Sequence, residues 1–196
     1  MTTKIYDVIN DTIKDLELNK HTMAYKGFNA KIRQSVQKPH SQKMFIWGFL
    51  GDRVPRHYLS YTGEQTDYER VVITVLEVYA TMSTGTKPAR PVYDDESQYK
   101  KTMGQTLQTM RTDKVKKTLD TRFNKMIATK QYDGIVYNLL HILKIVNQTD
   151  DTVYINYGQL AQDLLSISKG KSEDVKIKWA RAYYRQNKTN TEKGEN

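Results

Sequence analysis

The sequence predicts an all-α protein of eight or nine helices in two small packed bundles. Apolar residues recur at three- and four-residue spacing through most of the chain, which is the spacing of one face of an α-helix. Glycine and proline gather between periodic segments, as they do where helices end. The length of 196 residues suits one compact domain or two small ones, and it allows a core without disulfide or metal staples.

The first half contains two strongly periodic segments. Residues 5–16 mark the first helix, and residues 68–82 mark a longer one with its apolar side chains on one face. The β-branched run at 71–75 is also compatible with a strand. A helix is favoured because the periodic segment is long. In addition, Asp67 and Glu69 stand near its start, where the helix dipole stabilises negative charge.

A breaker region separates this half from the next. Gly85, Pro88, Pro91 and the acidic run at 94–96 predict a loop or insertion over residues 84–97. Further helices are predicted at residues 98–110, 115–127, 135–146, 157–165 and 175–183.

The breakers also suggest domain boundaries. We expect an N-terminal helical bundle over residues 1–110, a C-terminal bundle over residues 111–186 and a polar, flexible tail over residues 187–196. Within the second bundle, Gly170 is predicted to end one helix and Ser172 to cap the next.

Most enzymatic and metal-binding classes lack the residues they need. Cysteine is absent, and the four histidines are scattered without the i, i+4 spacing of a helical zinc site. Residues 169–172 imitate the end of a phosphate-binding loop, but Leu165 stands where that loop needs glycine. We therefore expect no cofactor, no metal and no catalysis. No run is apolar enough for a signal peptide or membrane helix, so we expect a soluble, cytoplasmic protein that does not bind membranes.

Positive charge is concentrated in blocks along the chain. Lys and Arg number 31 against 22 Asp and Glu, for a formal net charge of +9. Residues 20–60 carry eight basic side chains against Asp52 alone. Such blocks favour a polyanionic partner, although a solvated surface that keeps the protein soluble is the alternative. Several basic segments in one small chain favour nucleic acid.

One predicted helix carries a basic stripe. With Lys114 at the origin of a helical wheel, Lys125 falls at about 20°, Arg111 at about 60° and Arg122 at about 80°. Their apolar neighbours, from Val115 onwards, occupy the opposite half of the wheel. One face of this helix is therefore expected to pack while the other presents cations.

The last helix carries a second stripe, in which Lys178, Arg181 and Arg185 lie at i, i+3 and i+7. Arg and Lys side chains in such stripes bind a sugar-phosphate backbone without reading its sequence. A solvated face with local ion pairs explains either stripe alone, but it explains both stripes and the 20–60 block together less well. Of the fourteen tyrosines, most lie in apolar stripes, and only Tyr184 is considered for contact with a base.

The second half contains an ordered set of motifs. Arg122-Phe123 opens a helix, an apolar helix follows, and residues 157–164 then read Y-x-x-L-x-x-D-L, before residues 175–184 read V-x-x-x-W-A-R-x-Y-Y. This order resembles the CasB family, the small subunit of type I-E CRISPR Cascade complexes. Residues 27–33, 45–47 and 102–104 look like further, less specific segments of that family. The resemblance covers roughly residues 25–186.

The resemblance implies a helical subunit without a catalytic centre. A pair of copies lies along the inner face of the complex in that family, and the backbone and large subunits are partners. The two copies lie beside the guide RNA and the DNA target. They help to hold the R-loop open, partly by binding the displaced non-target strand, and a separate helicase-nuclease degrades the target.

The residues expected to contact nucleic acid come from the resemblance and from the stripes. They are Lys31, Arg33, Arg111, Lys114, Arg122, Lys125, Lys176, Lys178, Arg181 and Arg185. Among them, Arg33, Arg122 and Lys125 follow the family pattern. The alternative function is a free-standing helical DNA-binding regulator, which would need a helix that presents Asn, Gln or Arg to base edges.

Overall fold

The structure, a computed structural model, describes residues 4–51, 53–83, 90–91, 101–148 and 153–185. Most of the predicted 84–97 loop and all of the predicted 187–196 tail lie outside these described residues. The acidic pair at 150–151 lies outside them as well.

Helices make up most of the described chain, which confirms the all-α prediction. The α-helices are α1 (Ile5–Asn19), α2 (Met23–Ser35), α3 (Phe45–Leu50), α4 (Asp67–Met82), α5 (Met103–Thr109), α6 (Lys116–Ala128), α7 (Tyr132–Val146), α8 (Tyr157–Ser168) and α9 (Ser172–Tyr183). Short 3-10 helices span His40–Lys43 and Arg56–Tyr58. Two two-residue strands, β1 (Arg90–Pro91) and β2 (Tyr154–Ile155), pair in parallel, with Arg90 opposite Tyr154.

Side-chain caps fix where α4 and α5 begin. The Thr66 hydroxyl accepts a hydrogen bond from the Glu69 amide at 3.1 Å, and the Glu69 carboxylate accepts one from the Thr66 amide at 2.7 Å. Thr102 and Gln105 form the same reciprocal box at the start of α5. Each box satisfies two backbone N–H groups that a helix start leaves without intrahelical partners. Glu69, one of the two acidic residues expected near the start of α4, therefore belongs to its cap.

The start of α9 differs from the prediction. Ser172 is the first residue of α9, Lys171 occupies the capping position, and no side chain caps the helix. The prediction that Ser172 caps α9 is therefore wrong. Gly170 has a φ of 85°, which glycine adopts readily, and it ends α8 as predicted.

The central element is α4, which is buried along nearly its whole length. It packs against α1, α2, α7 and α8. The β-branched run at 71–75 lies inside this helix, because a helix surrounded by other helices gains more from burial than it loses in helix propensity. The helical interpretation of residues 68–82 is confirmed.

Contacts between helices cross the predicted bundle boundary at residue 110. The helix α1 packs mainly against α8, and α5 packs mainly against α9. Buried apolar residues from all of these helices form one contiguous core. The division into bundles at residues 110 and 111 stays a prediction, and separating them would break the α1–α8 and α5–α9 contacts.

The packing of α5 on α9 depends on a glycine. A Cβ added to Gly104 would stand 2.1 Å from the backbone oxygen of Trp179, which is far inside van der Waals contact. Only glycine allows the two backbones to approach this closely without a shift of one helix. Gly104 therefore sets the position of α9, the helix that carries the second predicted basic stripe.

Candidate nucleic-acid interface

A buried carboxylate joins α8 to α9. Asp163 on α8 is 3% exposed and accepts hydrogen bonds from the Trp179 indole nitrogen at 2.6 Å and the Gln159 amide at 2.9 Å. The Lys178 ammonium also contacts this carboxylate. A buried carboxylate is stable only when such donors surround it. Lys178, predicted to bind nucleic acid, therefore compensates an internal charge, although its side chain stays partly exposed.

A second carboxylate, that of Asp120, binds Arg111 within the chain. The Arg111 guanidinium donates two hydrogen bonds to the carboxylate of Asp120, both at 2.7 Å, and the Tyr183 hydroxyl donates to the same group at 2.5 Å. The hydrogen bond from Arg111 holds the pKa of Asp120 below its usual value, and burial raises the pKa of Tyr183. This cluster ties the segment before α6 to the end of α9.

The prediction that the first basic stripe forms a single helix face is wrong. The helix α6 begins at Lys116, so Arg111 and Lys114 lie in the connection from α5 and not on the wheel. Lys114 is exposed in this connection. Arg122 and Lys125 do lie on α6, as the pattern predicts, with Lys125 exposed and Arg122 half-buried.

Burial changes the interpretation of Lys176. This side chain is 3% exposed, and its ammonium lies 2.8 Å from the Glu173 carboxylate, one helical turn earlier on α9. The chain itself covers Lys176, so its predicted contact with nucleic acid would require the side chain to become exposed. Arg185, in turn, lies beyond the last residue of α9.

Basic groups gather across α6 and α7. His141 on α7 has its pKa lowered mainly by burial, and also by the charges of Lys144, Arg122 and Lys125. We call these four residues the α6–α7 basic face. In the part of the chain that the structure describes, Arg122, Lys125 and Lys144 have no carboxylate or hydrogen-bond partner for their side chains. Their charge is left for a partner outside the chain.

The end of α9 and the start of α5 enclose a groove of about 620 Å³. We call it the α9 groove. It is lined by Thr102, Gln105, Asp174, Ile177, Lys178, Arg181, Ala182 and Arg185. Arg181 and Arg185 are exposed and lack internal partners among the described residues. The structure therefore brings together the three cations predicted for the last helix, with one of them held by Asp163.

Lys31 and Arg33 lie on another helix pair. Both are on α2, which packs mainly against α4 and the 3-10 helix at His40–Lys43. Lys31 is exposed and Arg33 is half-buried, and neither has an ion pair within the described ranges. The structure does not join them to the α6–α7 basic face through a main helix contact.

A cavity of about 470 Å³ lies between α4, α7 and the segment at 37–43. On its wall, the Lys43 ammonium stands 2.5 Å from the carboxylate of Glu77. Burial raises the pKa of Glu77, and Lys43 opposes that shift. The pair neutralises its own charge, so the cavity offers no net cationic site at this point. Tyr137 lies at its edge.

The described residues contain no group of three or more histidine, aspartate or glutamate side chains placed to hold a metal ion. None of their helices combines the length and the apolar character that a membrane span requires.

Comparison with known proteins identifies the family. The model of the CRISPR-associated protein Cse2 family matches residues 29–184, which is most of the chain. The chain belongs to this family. The crystal structure of CasB from Thermobifida fusca is similar in fold, with a TM-score of 0.69 over 94% of this chain and all of that one, at 14% sequence identity. No curated protein matches the sequence significantly.

The resemblance to the CasB family, also called Cse2, is confirmed. The motif that carries this resemblance has a structural role in this member. Asp163 of the first segment accepts the indole hydrogen bond of Trp179 from the second, and Gly104 lies against the backbone of the same tryptophan. Tyr183, further along, bonds to Asp120. The motif residues thus dock α9 onto α5, α6 and α8, and they position the α9 groove.

The sequence pattern missed Tyr137, His141 and Lys144. These lie on α7 at i, i+4 and i+7, which places them on one helix face beside Arg122 and Lys125 of α6. The i, i+4, i+7 spacing was the available signal, but only the packing of α6 against α7 shows that the two cationic sets meet.

Proposed function

We propose that this Cse2 family member is a non-catalytic small subunit of a type I-E Cascade complex. In this role it binds the backbone of the guide RNA and target DNA, and of the displaced non-target strand, and so stabilises the R-loop. The observation that carries the proposal is the set of cations on the α6–α7 basic face, none of which is neutralised by a carboxylate in the described chain.

Sequence-blind contacts are sufficient for this role. The guide–target heteroduplex is about as stable as the DNA duplex that it replaces, so modest backbone contacts decide whether the R-loop stays open. Lysine and arginine side chains supply such contacts by displacing counterions from phosphates. The exchange is governed by charge placement and needs no catalytic group, which fits a non-catalytic subunit.

The predicted residues contribute unequally in this proposal. Arg122, Lys125, Arg181 and Arg185 bind phosphates first, because their charges have no internal partner. Lys31, Arg33 and Lys114 add contacts elsewhere on the surface. Arg111, Lys176 and Lys178 stay predictions as nucleic-acid ligands, and each would have to leave its carboxylate to bind a phosphate.

The proposed partners are the guide RNA, both strands of the target DNA, the backbone and large subunits of the complex and a second copy of this chain. The family supports this set, and the net charge of +9 supports its nucleic-acid members. We place the protein in the cytoplasm, where guide RNA and foreign DNA meet.

Reconstitution tests the proposal directly. The chain is co-expressed with candidate backbone and large subunits and a guide RNA, and the complex is purified through a tag on another subunit. We expect co-purification, and a shorter R-loop lifetime when this chain is omitted. If the chain instead fails to co-purify and selects one duplex sequence from a random pool, the regulator alternative is correct.

A further inference from the structure

An exposed aromatic ring lies within the α6–α7 basic face. Tyr137 on α7 is 45% exposed, and its ring centroid is 4.4 Å from that of His141, with the two planes at 55°. His141 lies one helical turn further along α7, so it supports the ring from one side. Tyr137 also lines the cavity between α4, α7 and the segment at 37–43.

The hydroxyl of Tyr137 is not held by the fold as those of Tyr79 and Tyr183 are. The Tyr79 hydroxyl donates to Glu17 at 2.7 Å, and the Tyr183 hydroxyl donates to Asp120 at 2.5 Å. The hydroxyl of Tyr137 has no hydrogen-bond partner among the described residues.

Tyr184, which the sequence favoured for base contact, makes more contacts within the fold than Tyr137 does. Its hydroxyl donates to Asn124 at 2.7 Å, and its ring packs edge-on against Phe123 and Tyr183. It is 43% exposed, close to Tyr137, so exposure alone does not separate the two tyrosines. What separates them is that Tyr137 has one supporting ring and no polar tether.

The charge beside Tyr137, on the side of His141, is positive. The charges of Lys144, Arg122 and Lys125 all act on His141, the residue that supports the ring. The acidic residue one turn before Tyr137 is Asp133, and Arg70 neutralises it with a hydrogen bond of 2.6 Å. An anionic ligand that approaches from the side of His141 therefore meets these cations, whereas the carboxylates of Asp67 and Glu77 line the cavity on which Tyr137 also borders.

We propose that Tyr137 is a stacking platform for one base of a single nucleic-acid strand, with Arg122, Lys125 and Lys144 binding the phosphates beside it. The proposal rests on the proposed function and makes it more specific, since it names the single strand as the ligand of this face. An aromatic ring on a helix surface can stack with a base only when that base is not already stacked in a duplex. Cations alone would not make this distinction.

The test measures binding of the full-length protein to a 16-nucleotide pyrimidine strand that carries one 2-aminopurine. DNA and RNA versions are compared with a duplex of the same sequence. In Tyr137→Ala, we expect about tenfold weaker single-strand binding, because base–aromatic stacking is lost. We also expect weaker quenching of 2-aminopurine, no change in duplex binding and an unchanged salt slope. Tyr137→Phe keeps the ring and should bind like the parent protein.

Tyr61→Ala is the matched control. Tyr61 is 83% exposed and has neither a ring contact nor a hydrogen bond within the described residues. We expect this variant to bind like the parent. The DNA and RNA arms show which strand the platform prefers.

The outcomes separate this proposal from the proposed function. If charge reversal of Arg122 and Lys125 abolishes binding while Tyr137→Ala changes nothing, the basic face stands and the stacking platform is wrong. If neither change matters, or the parent protein binds no single strand, both proposals lose their basis. Equal weakening of single-strand and duplex binding by Tyr137→Ala also overturns the stacking proposal, since a duplex offers no free base.

Discussion

The α9 region and the α6–α7 basic face carry similar cation patterns but use them differently. On α9, Lys176 and Lys178 are bonded to Glu173 and Asp163 within the same chain. On α6 and α7, Arg122 and Lys144 have no such partner in the described part of the chain. Helical spacing alone does not distinguish these cases. What distinguishes them is whether the fold places a carboxylate within reach of each cation.

The sharpest test on the α9 side is Gly104→Ala. The added methyl group would overlap the Trp179 backbone, so we expect the free energy of unfolding to fall by about 3 kcal/mol as α9 is displaced. Denaturant unfolding of the full chain measures this loss.

Gly27→Ala is the matched control for Gly104→Ala. Gly27 lies within α2, and a Cβ there meets nothing within 4 Å. The control should therefore stabilise the protein by up to about 1 kcal/mol, because alanine favours a helix over glycine. Equal effects at the two glycines would contradict the close packing of α5 against α9.

A second change on the α9 side removes the buried carboxylate. Asp163→Ala leaves the Trp179 indole N–H buried without an acceptor, so we expect a loss of about 2 kcal/mol in the free energy of unfolding. Asp11→Ala on the exposed side of α1 should stay within about 0.5 kcal/mol. If Asp163→Ala had the same free energy of unfolding as the parent protein, the packing of α8 against α9 would not depend on this side chain.

On the α6–α7 side, the expected effect is on binding and not on folding. Reversing Arg122 and Lys125 to glutamate should weaken target DNA binding by the assembled complex by at least about tenfold at low salt, because cationic phosphate contacts are lost. The log–log salt slope should become shallower by about 0.7 for each single-strand phosphate contact removed. Lys116→Glu and Lys117→Glu, on the first turn of the same helix, are charge-matched controls. Unchanged DNA binding in the Arg122/Lys125 variant would count against the proposed face.

The smallest expected effect comes from His141. Burial and the charges of Lys144, Arg122 and Lys125 lower its pKa in the free protein, so it is neutral at pH 7. Nearby phosphates offset those cations and raise the pKa of His141, so binding takes up protons and strengthens as pH falls from 7.5 to 5.5. We expect the binding affinity to increase by about threefold over this range.

The same pKa shift has the opposite consequence for folding. A histidine whose folded pKa is lowered contributes stability above its unfolded pKa of about 6.5 and loses it as pH falls further. His141→Gln should therefore flatten the pH dependence of both binding and stability. Binding titrations and urea unfolding at pH 7.5 and 5.5 check the two signs, and an unaltered binding profile in His141→Gln would exclude a role for this residue.

The sequence predicted those parts of the fold that depend on local periodicity. The segments 5–16 and 68–82 lie in α1 and α4, because one apolar stripe per helix follows from burial against a core. The segment 45–47, noted only through the family resemblance, opens α3. Much of α2 is exposed and its apolar side chains are sparse, so its limits carried little periodic signal.

The candidate site depends on contacts that the local sequence does not encode. The Arg111–Asp120 and Lys178–Asp163 pairs each bring together two separate parts of the chain. The wheel that joined Lys114 to Arg122 assumed a helix that in fact begins two residues after Lys114. Tyr137 and His141 become part of a cationic surface only once α7 lies against α6. Tertiary packing therefore decides which charges remain available.

The pairing of α1 with α8 has a consequence for synthesis on the ribosome. The apolar stripe of α1 emerges before its main partner, which begins only at Tyr157, far along the described chain. Contacts between such distant segments slow folding and leave hydrophobic surface open to aggregation in the meantime. Nascent chains that stop before Tyr157 should therefore need a chaperone to stay dispersed, whereas chains that include α8 can bury α1.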